Sequence, residues 1–288
     1  MDCDVEIVVD LRAELAEGPW WDAAARQLVF VDIVSGVVHR YSPQTNHLES
    51  LRIGQPVGAA VPRASGGLVL ALRDGVAVWD GVNPPTMVCD LEGDVPGNRL
   101  NDAKCDAAGR LWVGSMASTP AAGSLYTVLP DYSHVRVLGG VTISNGIGWS
   151  PDNNTMYYND SRTFRVQAFD FDLSSGCLSG GRTFARLSPE EGEPDGLTVD
   201  ADGYVWIATF GGGAVRRYDP AGRLDGLIEF PARKVTSCAF GGTDLDELYV
   251  TTAAIDRDAQ EAAHEPHAGG VFRCRPGVRG RLDHAFAG

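Results

Sequence analysis

A chain of 288 residues that is 44% hydrophobic can bury a large core, and 35 glycines with 16 prolines suit a turn-rich protein. A formal net charge of −14 at pH 7 weighs against nucleic acid or an anionic membrane surface as a partner. No stretch reaches the ~18 apolar residues of a membrane span, and MDCDVEIVVDLRAELAEG holds no apolar run of signal-peptide kind, so a cytoplasmic location is expected.

In chain order, residues 5–9 (VEIVV) form a predicted strand that stands alone. A phrase then recurs six times, as EGPWWDAAARQLVFVDI from Glu17, VGAAVPRASGGLVLALRDG from Val57, NDAKCDAAGRLWVGSM from Asn101, NGIGWSPDNNTMYYNDS from Asn145, DGLTVDADGYVWIATF from Asp195 and SCAFGGTDLDELYVTTA from Ser237. Each copy opens on a polar or small residue, alternates apolar residues, turns through Asp, Gly, Ala or Asn, and ends in a β-rich run, which is a hairpin pattern. A second hairpin follows in four copies, over residues 36–41 with 48–53, 123–129 with 135–138, 164–170 with 181–184 and 213–218 with 224–230. The copies start 40 to 50 residues apart, the spacing of propeller blades. The expectation is an all-β, six-bladed β-propeller with four-stranded blades, one domain over residues 1–288. An open ring would leave two bare sheet edges, so residues 5–9 are expected to complete the last blade beside residues 271–274. Residues 253–268 hold the one candidate short helix.

In a propeller the innermost strands start at the same end of the central channel, so equivalent positions form a ring about the axis. The first residues of the six phrases are Glu17, Val57, Asn101, Asn145, Asp195 and Ser237. Any one polar residue here could simply cap a turn. Together, two carboxylates and two amides without His or Cys make an oxygen-only set. That set suits Ca²⁺, Mg²⁺ or Mn²⁺ by ligand type, with Zn²⁺ or Fe²⁺ where geometry imposes them.

With these phrases the chain resembles the gluconolactonase/regucalcin family of six-bladed propellers. The likeness spans nearly the whole sequence and is densest in AEGPWW at 16–21, RLNDAKCDAAGRLWVGSM at 99–116, SNGIGWSPDNNTMYYNDS at 144–161, PDGLTVDADGYVWIA at 194–208 and TSCAFGG at 236–242. The resemblance implies that Glu17, Asn145 and Asp195 hold one divalent metal at the channel mouth, and that Arg99 and Asn101 bind a sugar lactone or its aldonic acid beside it. It implies a metal-dependent hydrolase that opens a sugar lactone, with Asp195 or metal-activated water supplying the base. Members acting on gluconolactone often carry a glutamate shortly after the G-[ST]-M motif. Here Thr119 falls at that place in a stretch without acids, so Thr119 is the substrate-binding candidate and the substrate is smaller or different. The alternatives are a non-catalytic calcium-binding or regulatory propeller and a hydrolase of a non-sugar lactone or ester. Arg99 beside Asn101 favours the enzyme, because a pure calcium site needs no arginine whereas an anionic product does. A monomer or weak dimer is expected.

Other chemistry is poorly supported. His264 and His267, in HEPH, lack the HExxH spacing and a third ligand, and read as surface loop. No G-x-S-x-G elbow is present, and residues 211–213 (GGG) open a strand rather than a helix, so they cradle no phosphate. The six cysteines show no CxxC pair, and Cys105 and Cys238 are expected between blades. The recurring tryptophans are expected in the core, with Trp20 or Trp21 available to wall a pocket.

Overall fold

A computed structural model describes Met1 and residues 3–288. It contains six four-stranded antiparallel sheets, each built from four strands consecutive in the chain except the last. The innermost strands are Ala16–Asp22, Val57–Pro62, Arg99–Cys105, Ser144–Trp149, Glu193–Val199 and Val235–Gly241, for blades 1 to 6 in order. In blade 6 the fourth strand is Glu6–Val9, which pairs antiparallel with Val271–Cys274 in the register Glu6↔Arg273 and Ile7↔Phe272. The expected six-bladed propeller and its N-terminal closure are both present. The helix of blade 6 is short, Ala259–His264, capped by the Asp258 carboxylate accepting from Gln260 and Glu261 N–H groups. Among the described residues no helix is long and apolar enough to cross a membrane.

The core is divided as a propeller requires. Six separate apolar clusters fill the six blade-to-blade interfaces. Cys105 belongs to the cluster between blades 2 and 3, and Cys238 to that between blades 5 and 6. Trp112, Trp149 and Trp206 are likewise buried between blades. The turns that join first and second strands are locked by a repeated acid. Asp200 accepts from the Asp202 and Tyr204 N–H groups, from Trp206 Nε1 at 3.0 Å and from Arg217. Asp106 does the same for Ala108, Arg110 and Trp112. Both carboxylates are fully buried, and each leaves no lone pair of the turn idle.

The innermost strands share one irregularity. In every blade the pairing with the second strand slips by one residue at the ring position, as between Asn145↔Asn159 and Ile147↔Tyr158. Such a bulge bends the strand and re-aims a side chain. Here it turns the ring residues toward the axis while the rest of the strand keeps its alternation between neighbouring blades. The residue after Asn145 is Gly146, at φ +28°, where a Cβ would stand 2.5 Å from the Asp195 carbonyl oxygen of the next blade. Only glycine lets two innermost strands come this close.

Candidate metal and substrate site

Glu17, Asn101, Asn145 and Asp195 arrive at one end of the channel from blades 1, 3, 4 and 5, and all are about 95% buried. They form the floor of a cavity of about 430 Å³ that Arg99 also lines. The floor is wired together. Arg99 donates from Nη1 to Asn101 Oδ1 at 2.6 Å, and Asn101 donates from Nδ2 to Asn145 Oδ1 at 3.0 Å and to the Ser144 carbonyl at 2.8 Å. Asn145 Nδ2 in turn donates to Ser161 Oγ at 3.0 Å, so its amide is held at both ends. Asn159, from the second strand of blade 4, donates to the Asp195 backbone carbonyl at 2.8 Å and anchors that residue from behind.

Two carboxyls in this buried place are electrostatically costly. Burial pushes Glu17 well above the usual carboxylate range, and neighbouring Asp195 and Asp102 push it further. Burial raises Asp195 likewise, with Asp102 adding to it. Without a cation, burial and mutual repulsion both oppose the two carboxyls being charged together. Asp195 Oδ1 is buried and accepts from no N–H or hydroxyl group of the chain. An orphaned carboxylate oxygen, a second buried carboxylate and an amide oxygen held in place form a hard-donor set, and such a set fits a divalent cation. Burial holds the Arg99 guanidinium down to about 10, opposed by Glu17 and Asp195, and it remains a cation at neutral pH.

The other candidate residues are placed less centrally. Thr119 is exposed in the turn between Leu111–Met116 and Gly123–Val128 and does not line the cavity. Val57 and Ser237, the remaining ring positions, do not line it either. Trp21 is buried between blades 6 and 1, stacked on Tyr249 at 5.6 Å, and Trp20 lies deeper in the channel, so neither walls the cavity. His264 Nδ1 donates to the Gln260 carbonyl of its own helix, and His267 faces Asp10.

Sequence reasoning missed the wall. Leu15, Ile33 and Val34 come from blade 1, Met116 from blade 3, Ile143 from blade 4, Phe210 from blade 5 and Ile255 from blade 6. Two of these are set by a repeated clamp at the end of a second strand. Asp32 accepts from the N–H groups of Glu14 and Leu15, and Asp160 accepts from those of Thr142 and Ile143. The signal was present in the register, because wall residues recur just before innermost strands and just after second strands. Also missed was the C-terminal segment. His284 bridges to Cys105 and Phe286 to Arg63, while Asp283 faces Lys104 at 3.5 Å, so the chain end crosses the channel far from the floor.

Comparison with known proteins agrees with this geometry. A family model described as SMP-30/Gluconolactonase/LRE-like region matches residues 15–254. The chain is 39% identical to the regucalcin of Xenopus laevis, with 99% of this chain and 98% of that protein covered. Among solved structures, a luciferin-regenerating enzyme superposes with a TM-score of 0.93 at 33% identity, covering 99% of this chain and all of the other. An Agrobacterium tumefaciens regucalcin, described as a calcium-binding protein, superposes equally well at 0.93 with 28% identity, covering 99% and 97%. The clamped ring, the blade count and these full-length similarities agree, and the chain belongs to the SMP-30/gluconolactonase/LRE-like family.

Proposed function

We propose that this protein is a divalent-metal-dependent lactonase, opening a cyclic ester to its hydroxy acid; membership of a family that includes gluconolactonase supports lactones, a sugar lactone giving an aldonic acid among them. The observation that carries the reading is the unpartnered, buried Oδ1 of Asp195, standing in one cavity with Glu17, Asn145 and the cationic Arg99. A binding site for a cation alone has no use for Arg99, whereas the carboxylate released by lactone opening does.

Glu17, Asn145 and Asp195 would hold the ion. Bound there, a divalent cation supplies Lewis-acid polarisation of the ester carbonyl and offsets the negative charge of the transition state. The chain's own residues do the rest. Asn101 holds the Asn145 amide oxygen outward and keeps Arg99 over the cavity. Arg99 orients the ester and then receives the product carboxylate. Asp195, through the carboxylate oxygen not given to the ion, takes the proton of the attacking water and returns it to the leaving alkoxide. The apolar wall limits water in the site, which strengthens each of these charge interactions.

The test is hydrolysis of a lactone panel by chelator-treated protein, before and after addition of Ca²⁺, Mg²⁺, Mn²⁺, Zn²⁺ or Fe²⁺, with Asp195→Ala alongside. Activity that returns with one ion and stays below about one hundredth of wild type in Asp195→Ala is the expected result. Tight ion binding with no lactone turned over would instead favour a calcium-binding role without catalysis.

A further inference from the structure

We infer that the lactone carries an apolar arm, and that the cavity discriminates against polyhydroxylated rings; the inference rests on the lactonase reading and names its substrate class. Above the floor, the wall that meets the substrate's outer part is built from Ile33, Val34, Met116, Ile143, Phe210 and Ile255. These side chains come from five of the six blades and close around the cavity instead of forming a patch on one side.

Most polar groups at the same height are engaged with one another, Asp256 being the exception. Arg162 and Glu193 form an ion pair at 2.6 Å across blades 4 and 5, and Ser161 Oγ is held by Asn145 Nδ2. Arg99 commits Nη1 to Asn101 and the Leu100 carbonyl and one Nη2 donor to Met116 Sδ, which leaves Nε and the second Nη2 donor for the ester and the product carboxylate. Thr119, at the position where a hydroxyl-binding acid would be expected, faces solvent outside the cavity. A ring bearing several hydroxyls would press most of them against hydrocarbon, with more groups to satisfy than Asp256 and the Ser161 hydroxyl can partner, and unmade hydrogen bonds are the strongest discriminators a site has. An alkyl or aryl arm would meet a surface of its own kind, in a volume of the size that holds small ligands.

The wall is also held in place. Lys234 caps the Ile255 and Asp256 carbonyls and lies 5.7 Å over the Phe210 ring, and Asp160 fixes the Ile143 backbone. The apolar lining is thus a shaped surface, not a set of loose side chains.

The test compares kcat/KM of the metal-loaded protein for γ-valerolactone, γ-hexalactone, γ-octalactone and D-glucono-δ-lactone, each relative to its spontaneous hydrolysis. Burial of each methylene is worth up to about fourfold, so γ-octalactone should exceed γ-valerolactone by about tenfold or more and should also exceed the sugar lactone. Val34→Ser, at a rim position 41% exposed and so safe for folding, should compress the octalactone-to-valerolactone ratio by about threefold. A flat or falling chain-length profile, or preference for the sugar lactone, would overturn the inference and leave lactonase activity standing. If no lactone is turned over, calorimetry with 2-methyl- and 2-butylcyclopentanone in the presence of Ca²⁺ separates the two ideas. Binding tighter by about tenfold for the butyl compound would uphold the apolar site while the lactonase reading falls; equal binding would end both.

Discussion

Glu17 and Asp195 are the residues whose placement makes least sense without a ligand. Two carboxyls from different blades are buried together, one oxygen of Asp195 accepts from no N–H or hydroxyl of the chain, and neither carboxyl is paired with Arg99. A buried like-charged pair destabilises the fold unless a cation or a proton stands between the two. Glu17→Gln should therefore raise the stability of chelator-treated protein, by about 1–2 kcal/mol, because the amide keeps an acceptor for the Gly18 N–H and removes the repulsion. With Ca²⁺ at a hundred times its dissociation constant, wild type should gain about 2.7 kcal/mol and the variant little, so the order reverses. Thermal melts with and without chelator measure both halves. A variant less stable in chelator would mean that the pair is held by something other than a cation. The four polar ring residues were legible in the sequence because the repeat gives a register, and the register gives convergence on the axis. Thr119 was not placed by that logic. It lies in a turn outside the repeated phrase, where spacing from a motif says nothing about direction. The wall residues also escaped, since an isoleucine beside a strand end reads as ordinary core until the cavity is seen.

At the level of strands, the propeller is specified by small repeated devices: a bulge at each ring position, an acid that locks a turn, an acid that clamps the strand start. The alternation of the sequence predicts each hairpin, but nothing in alternation announces a bulge, so the slip of register in every innermost strand appears only in the pairing. The third strand of blade 1, Val37–Ser42, carries a further exception to its apolar pattern. His39 is only 3% exposed, stacked on Phe30 at 4.8 Å, with Nδ1 on Ser50 Oγ and Nε2 without a partner. Burial lowers its pKa to about 4, against a small opposing effect of Asp32. The folded imidazole thus stays neutral in a range where the unfolded one, near 6.5, is protonated. The unfolded state then binds the extra proton, and stability falls as pH drops from about 6.5 to about 4, levelling off below. The loss should reach about 3 kcal/mol relative to a His39→Gln variant, which has no such proton to bind. Urea denaturation of both proteins at pH 7, 5.5 and 4 gives the difference; parallel curves at all three values would refute the assignment.

For the molecule as a whole, stability depends on closing the circle, because each blade packs only on its two neighbours. The ring is closed without a covalent link, by the pairing of Glu6–Val9 with Val271–Cys274, and among the described residues all six cysteines are free. Arg273 reinforces the join by bridging Glu6 on one strand and Glu247 on the other side, while Ile7 and Val9 pack into the clusters flanking blade 6. The metal and substrate floor is assembled from blades 1, 3, 4 and 5, so an opened ring lets blade 1 move away from blade 6 and carries Glu17 out of register with Asp195. Removing residues 1–9 should accordingly do two separable things. It should leave Val271–Cys274 as a bare edge, with self-association visible by light scattering above micromolar concentration. It should also weaken Ca²⁺ binding by about tenfold or more even in the monomeric fraction, since one ligand is no longer held opposite the others. Replacing Glu6 by Ala removes only the exposed arm of the Arg273 bridge and should cost at most about 1 kcal/mol, with the edge still covered. If the truncated monomer binds Ca²⁺ as tightly as the full chain, the floor is held by the inter-blade clusters, and the N-terminal strand protects an edge without tuning the site.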